Sequence, residues 1–470
     1  MRGGSLSLSN AGSALYSMVR HPYVGREQLV AFQNTRLRRL VDYAYRHVAY
    51  YRDLFDRHGL KPHHIKTIQD LAVVPITTRS DLQALAVEEI VARQVKPKCL
   101  ITRSSSGSSG RPFIVRRTWL EERVHGGFAW RALHGLGLRA GDKNCMILRL
   151  QNSQPQDHQM IQRILAAFGI GRQGVINALQ SPEDIIQALK KYRPAIVSGY
   201  SNVLARIART VNRKELQAFQ LRFVNTGGEV LTPLMRHQIE EGFGVPVYDT
   251  YGSIEFHLLA WECKTTGEYH ACEDGMIMEV LRNGVPAAEG ERGEVVGTDL
   301  HSFAMPLIRY RLGDLVTRGS QTCRCGQPFS TIRSIQGRMN DYFVLPGNKV
   351  VHPYELGILA VPWIREFQVT QESLDTIVMK VIPFHIPSTQ ETAALVQSVI
   401  DVIGQGIQFT VVLVTEIPMD VSGKFRVYRS RIHSAYDGLV WPEQREKPHL
   451  VNEPMSESPW NPDVDKKNTR

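Results

Sequence analysis

The sequence predicts an α/β protein: a large N-terminal domain with mostly parallel sheets plus a β subdomain, followed by a small C-terminal α+β domain. Three observations carry this. Between about residues 100 and 250, strand-like runs at 144–150, 195–199 and 221–225 alternate with helical stretches at 182–192 and 202–212. That alternation is the pattern of parallel strands joined by crossover helices. Residues 276–318 change character, with short β-rich runs at 276–281, 293–298 and 314–317 between Gly, Pro and Asn turns, which predicts antiparallel pairing. Past Gly-Arg-Met-Asn-Asp at 337–341, strands at 367–370, 376–382 and 409–413 bracket a helix at 389–403. The large domain is therefore expected at residues 1–336 and the small one at 337–440. A polar, proline-bearing tail without periodicity follows at 441–470.

Taken in chain order, residues 27–56 read as helix, because Leu37, Leu40, Val41, Ala44 and Val48 recur at three- and four-residue spacing between polar residues. The next informative stretch is Ser104, Ser105, Ser106, Gly107, Ser108, Ser109 and Gly110, followed by Arg111 and a proline. Glycine tolerates positive φ and close backbone approach, and successive N–H groups in such turns form an anion-binding concavity. Serine hydroxyls add donors and Arg111 a permanent charge. The expected ligand is a triphosphate; the alternative is a flexible Gly/Ser linker. A strand-like run at 98–102 precedes the loop and a long amphipathic segment follows it, and a linker does not sit between two core elements. The stretch is not the P-loop of nucleotide hydrolases, since only two residues separate Gly107 from Gly110 and no lysine follows.

Composition narrows the class. A chain of 470 residues that is 43% hydrophobic can bury a sizeable core. It has no run of 18 apolar residues, so no membrane span is expected, and its first 20 residues lack the apolar stretch of a secretory signal. Six cysteines do not make a disulfide scaffold at this length, so a reduced, cytoplasmic protein is the expectation. The net charge of +10 suits phosphate-bearing ligands. It is dispersed, with Arg36, Arg38 and Arg39 the densest cluster, which gives sequence-specific nucleic-acid binding little support.

Four further segments fit one chemistry. Gly227, Gly228 and Glu229 follow a strand and precede a helix, the place where open α/β sheets bind ligands. Tyr248-Asp-Thr-Tyr-Gly-Ser-Ile-Glu255 supplies two aromatics, a glycine and a carboxylate able to hold Mg2+, a hard cation that takes oxygen ligands. Arg309-Tyr-Arg-Leu-Gly-Asp314 supplies an aspartate able to accept from ribose hydroxyls, and Ser422-Gly-Lys-Phe-Arg426 a lysine on a turn. In this order and at these separations the set resembles the adenylate-forming superfamily of acyl-CoA ligases, peptide-synthetase adenylation domains and luciferases. Within it, the chain is similar to the phenylacetate-CoA ligase family and its capsule-synthesis relatives. His47-Val-Ala-Tyr-Tyr51 and Val74-Pro-Ile-Thr-Thr78 resemble that family's amino-terminal region, and the likeness covers residues 27–435.

The resemblance implies a two-step reaction in which ATP and a carboxylic acid, aromatic or aryl-acetic, give an acyl-adenylate, and coenzyme A then displaces AMP. It implies that Ser104 to Gly110 hold the β- and γ-phosphates. Gly227, Gly228, Glu229, Asp249, Tyr251 and Gly252 would line the nucleotide site, with Asp314 on the ribose and Arg338 beside it. Tyr200, Tyr248, Phe256 and His257 would form the acid pocket. Glu255 would ligate Mg2+ and Lys424 would contact the α-phosphate and carboxylate oxygens. Asn340 and Asp341 would be the hinge about which a mobile small domain turns between half-reactions. The chain departs from the family in having serines for threonines in the loop, Arg111 for lysine, Asn340 in the hinge pair and Arg79 at a lysine position.

Cys263, His270, Cys272, Cys323 and Cys325 crowd into one region. Four of them could give a structural Cys3His zinc site with no open position, and the expected set is Cys263, His270, Cys323 and Cys325, with Cys272 as the spare. Free buried thiols are the alternative. Two other functions stay open: transfer of the activated acid to an amine or carrier protein, and a non-catalytic nucleotide-binding role. The expected partners are small molecules, neither nucleic acid nor membrane, and a homodimer is compatible with the sequence.

Overall fold

The computed structural model describes residues 18–104, 113–148, 173–338, 342–351, 353–358, 361–417 and 427–432. Ser105 to Arg111, Asn340, Asp341, Lys424 and the tail from 441 lie outside the described residues. The helix expected over 27–56 is two helices, α1 (Arg26–His47) and α2 (Ala49–Arg57). Val48 breaks them with an extended backbone, φ −117° and ψ 117°. The break lets two apolar faces reach one core: Leu37, Leu40 and Val41 from α1 and Tyr51, Leu54 and Phe55 from α2 pack with Leu300, Phe303 and Ile308. The Tyr51 hydroxyl donates to Pro306 O at 3.1 Å and accepts from Ile308 N at 2.9 Å.

Strands β1 (Ile101–Ser104) and β2 (Ile114–Arg117) form an antiparallel hairpin whose connection is the serine–glycine stretch. Helix α3 (Trp119–Gly135) follows, capped by Thr118 and Glu121. Next come β3 (Asn144–Leu148), β4 (Gln173–Asn177), α4 (Pro182–Tyr192), β5 (Ile196–Gly199), α5 (Ser201–Thr210), β6 (Phe223–Gly227), α6 (Pro233–Phe243) and β7 (Val247–Ser253). Strands β4, β3, β5, β6 and β7 lie side by side in that order, all parallel. Leu189, Leu204, Ile239 and Phe243 from the helices pack against Ile147, Val197 and Val224 of this half-sheet.

Chain direction then reverses. Strands β8 (His257–Glu262), β9 (Tyr269–Ala271), β10 (Met276–Arg282), β11 (Val285–Pro286), β12 (Arg292–Asp299), β13 (Tyr310–Arg318) and β14 (Thr331–Arg338) pair antiparallel. They are not a detached sheet. Because β7 pairs with β8 on its free edge, they extend the same sheet to twelve strands in the order β11-β10-β12-β13-β14-β9-β8-β7-β6-β5-β3-β4. Helix α3 lies on β8 through Val124, Phe128, Leu258 and Trp261.

A second unit holds the hairpin β15 (Phe343–Leu345) and β16 (Lys349–Val351) and a four-stranded sheet of β17 (Ile364–Gln371), β18 (Thr376–Pro383), β19 (Gln408–Leu413) and β20 (Tyr428–Ser430), ordered β19-β18-β17-β20. Helix α7 (Thr389–Ile403) buries Leu395, Val399 and Ile403 against it. Ser388 caps α7 reciprocally with Glu391. No helix among the described residues is long and apolar enough to cross a membrane.

Candidate active site

The carboxyl ends of β5, β6 and β7 are in register, Gly199 beside Thr226 and Gly227 beside Thr250. Tyr200 caps α5 directly after β5. At the end of β6, a side chain on Gly227 would put Cβ 2.8 Å from Thr250 Oγ1, and Gly228 takes φ +77°. Both positions therefore favour glycine. Glu229 reaches back and accepts from Asn202 N at 3.2 Å, tying the double-glycine turn to the start of α5. Tyr248, half-buried on β7, meets Phe223 edge-on at 5.5 Å.

Tyr251 of β7, Asp314 of β13 and Arg338 of β14 meet although far apart in sequence. The Tyr251 hydroxyl donates to Asp314 Oδ2 at 2.6 Å, and Arg338 Nε lies 3.6 Å from Asp314 Oδ1. Burial and the neighbouring Asp314 charge push the Tyr251 phenol well above its ordinary value, so it stays protonated and donates.

The turn from β7 to β8 carries Glu255, which is 7% exposed. Gly252 is forced there, because a Cβ would fall 2.5 Å from His257 O, and His257 takes the left-handed backbone at φ 59°. Arg117 Nη2 donates to Ile254 O at 3.2 Å and also to Glu255 O. Phe256 points the other way. Its ring is buried against Gly297 and lies 6.2 Å from Tyr310, so it belongs to the core and not to an open acid pocket. His257 Nε2 faces Glu122 Oε2 at 3.1 Å.

Asp249 also departs from the expectation that it lines the nucleotide site. It accepts from Thr226 Oγ1 at 2.6 Å and Tyr269 OH at 2.9 Å, 3% exposed. Burial pushes its carboxyl up to about 7 despite these hydroxyls. It is a satisfied interior group between β6 and β9.

The ligand atoms of Cys263, His270, Cys323 and Cys325 all lie within 4.8 Å of one another. Ligands on a tetrahedral zinc, at about 2.3 Å for sulfur and 2.0 Å for nitrogen, stand roughly 3.8 Å (S–S) and 3.5 Å (S–N) apart. Cys263 Sγ to Cys323 Sγ is 3.7 Å, and Cys325 Sγ to His270 Nε2 is 3.5 Å. The residues thus fit a closed four-ligand site joining the start of the β8–β9 turn, β9 and the 323–326 loop. Cys272 stands apart, beside Asp274 and Arg131 at 3.8 Å from each.

Sequence reasoning missed Arg103, Arg117, Glu122 and the buried His125–Ser302–Asp299 set behind the turn. His125 Nε2 lies 3.1 Å from Ser302 Oγ and 3.2 Å from Asp299 Oδ2. Nothing in the spacing of a helix residue such as Glu122 tells a buried carboxylate from a solvated one.

The CapK C-terminal domain model matches residues 350–430. A phenylacetate-coenzyme A ligase of Thermus thermophilus is 31% identical over 365 residues, covering 72% of this chain and 76% of the relative. One from Escherichia coli is 27% identical over 344 residues, covering 69% and 74%. Protein CapK of Staphylococcus aureus is 23% identical, covering 75% and 78%. Among solved structures, a 2-hydroxyisobutyryl-CoA ligase in its postadenylation state with 2-HIB-AMP superposes with a TM-score of 0.73 at 22% identity, covering 88% of this chain and 91% of that one. On the strength of the Thermus relative, and with the fold agreeing, the chain belongs to the phenylacetate-CoA ligase family of adenylate-forming proteins.

Proposed function

We propose that this chain is an AMP-forming acid–CoA ligase that activates an aromatic or aryl-acetic acid. A carboxylate oxygen attacks the α-phosphorus of ATP and pyrophosphate leaves. The coenzyme A sulfur then attacks the acyl carbonyl and expels AMP, its proton passing to solvent. The observation that carries the reading is the meeting of Tyr251, Asp314 and Arg338, next to the double-glycine turn whose Gly227 pairs with Thr250. A buried-side phenol that orients an aspartate suits recognition of ribose hydroxyls, because a held acceptor needs little reorganisation on binding. Glu255 on its braced turn would hold Mg2+, which would neutralise charge on the phosphate oxygens. Tyr200 and Tyr248 would flank the acid, and Ser104 to Gly110 would wrap the phosphates. Lys424 would offset charge on the α-phosphate during adenylation. The curated phenylacetate-CoA ligases support coenzyme A as acceptor, and transfer to an amine or carrier protein is the second reading.

Pyrophosphate release over a panel of acids tests the first step, and AMP release with coenzyme A against amines tests the second. An aryl-acetic acid with coenzyme A should give the largest response. Lys424→Ala should slow pyrophosphate release roughly 10²–10³-fold, the usual cost of one transition-state donor. Unchanged release in that variant would remove the lysine from the mechanism.

The four-residue cluster would hold a structural Zn2+, stapling the β8–β9 turn to the 323–326 loop. Its geometry supports this role, and a closed ligand set leaves no position for substrate.

A further inference from the structure

We propose that Glu122 of α3 is a positioning residue for adenylation, tying the root of the serine–glycine loop to the turn that carries Glu255. The inference rests on the reading of that loop and turn as the phosphate and Mg2+ sites. Glu122 is 3% exposed, and both of its oxygens are engaged. Oε1 accepts from Arg103 Nε at 2.9 Å and Nη2 at 2.7 Å, and Arg103 directly precedes Ser104 where the loop leaves β1. Oε2 faces His257 Nε2 at 3.1 Å and Arg117 Nη1 at 3.8 Å. Arg117 in turn grips the carbonyls of Ile254 and Glu255. One carboxylate thus faces a cation at the loop's root, a cation that clamps the turn's backbone, and the imidazole that ends the turn.

The turn needs such restraint. His257 holds a left-handed backbone, which is unfavourable for a residue with a Cβ, and such conformations persist only where the surroundings over-determine them. The His257 ring is held on its other side by His125, stacked 5.3 Å away at 8°. His125 is itself fixed by Ser302 and Asp299. Burying a carboxylate with arginine partners is weak evidence for stability, since apolar packing often does as well. What an ionic tie supplies is direction. Burial pushes the Glu122 carboxyl up, but the His257 N–H and the Arg103 charge more than offset it, so the group stays ionised. The loop's root at Arg103 and the turn that bears Glu255 are therefore tied to one fixed anion.

The test compares wild type, Glu122→Gln, Glu122→Asp, His257→Asn and Glu255→Gln in pyrophosphate release, titrating Mg2+ at saturating acid. Outer groups that orient metal ligands typically contribute about 10–100-fold. Glu122→Gln should raise the Mg2+ half-saturation and lower kcat by about that factor, with KM for the acid unchanged and partial rescue in Glu122→Asp. His257→Asn tolerates the left-handed backbone and should move the Mg2+ midpoint the same way even if Glu122→Gln fails to fold. A folded Glu122→Gln or His257→Asn with wild-type Mg2+ dependence and kcat overturns the inference while leaving the ligase reading intact. A wild-type protein that uses no ATP overturns that reading and the inference with it. Unaltered Mg2+ dependence in Glu255→Gln does the same to the Mg2+ assignment.

Discussion

Tyr251 shows how a single hydroxyl can set an acceptor's direction. Its hydrogen bond to Asp314 is short and buried, and bonds to charged groups contribute about 1.5–3 kcal/mol. Tyr251→Phe should therefore raise KM for ATP roughly tenfold, by RT ln 10 per 1.4 kcal/mol, and leave KM for the acid unchanged in steady-state assays. Asp249 gives a second prediction. Its carboxyl sits at about 7 in the fold against an ordinary 3.8, raised chiefly by burial. Between those values the folded chain binds the extra proton, so stability falls as pH rises from about 4 to about 7. Asp249→Asn should flatten that fall in thermal melts recorded across the window. The two residues also mark what was legible. Asp314 could be singled out because its motif, Arg-Tyr-Arg-Leu-Gly-Asp, is contiguous, while its place on the ribose stays a proposal. The inward turn of Asp249 was not, because it depends on Thr226 and Tyr269 arriving from neighbouring strands.

At the scale of elements, periodicity was a good guide wherever one face decided the outcome. Helix α7 spans the expected 389–403 because its apolar stripe and its Ser388–Glu391 cap agree. It failed at Val48, whose spacing continues the helix while the tertiary core demands a break. That break places the Tyr51 hydroxyl between Pro306 O and Ile308 N. Tyr51→Phe leaves a buried donor and a buried acceptor without this partner, and should cost about 1–3 kcal/mol, read as a lower urea midpoint at unchanged slope. The grouping of Cys263, His270, Cys323 and Cys325 was legible in part. Cys-x6-His on a hairpin and Cys-x-Cys on a loop each keep two residues close through local geometry, while the pairing of β9 with β14 brings the two pairs together. Cys272, expected as the spare, stands apart because it faces Arg131 and Asp274.

At the scale of the molecule, the antiparallel strands β8 to β14, expected as a β subdomain, continue the parallel strands as seven members of one twelve-stranded sheet. Pairing across the β7–β8 edge has no signature in either strand's own sequence, since an edge and a centre differ only in who arrives beside them. The sheet brings the proposed zinc cluster and the Glu255 turn onto one strand, β8, separated by its length. Treatment with a strong chelator should lower the melting temperature markedly if the proposed zinc is held, whereas metal analysis finding none in reduced protein would leave three free thiols and a histidine.

Residues 72–77 of the N-terminal segment are sewn to the start of the strand that bears Asp314. Arg309 reaches the carbonyls of Ala72 and Val74, and Thr77 bridges Tyr310 in parallel. A protease nick in the stretch just after residue 92 would therefore release nothing: both fragments should migrate together on a sizing column and part only in denaturant. Deuterium uptake at Thr77 and Arg311, whose amides each bond to the opposite segment, should rise in step as that seam opens.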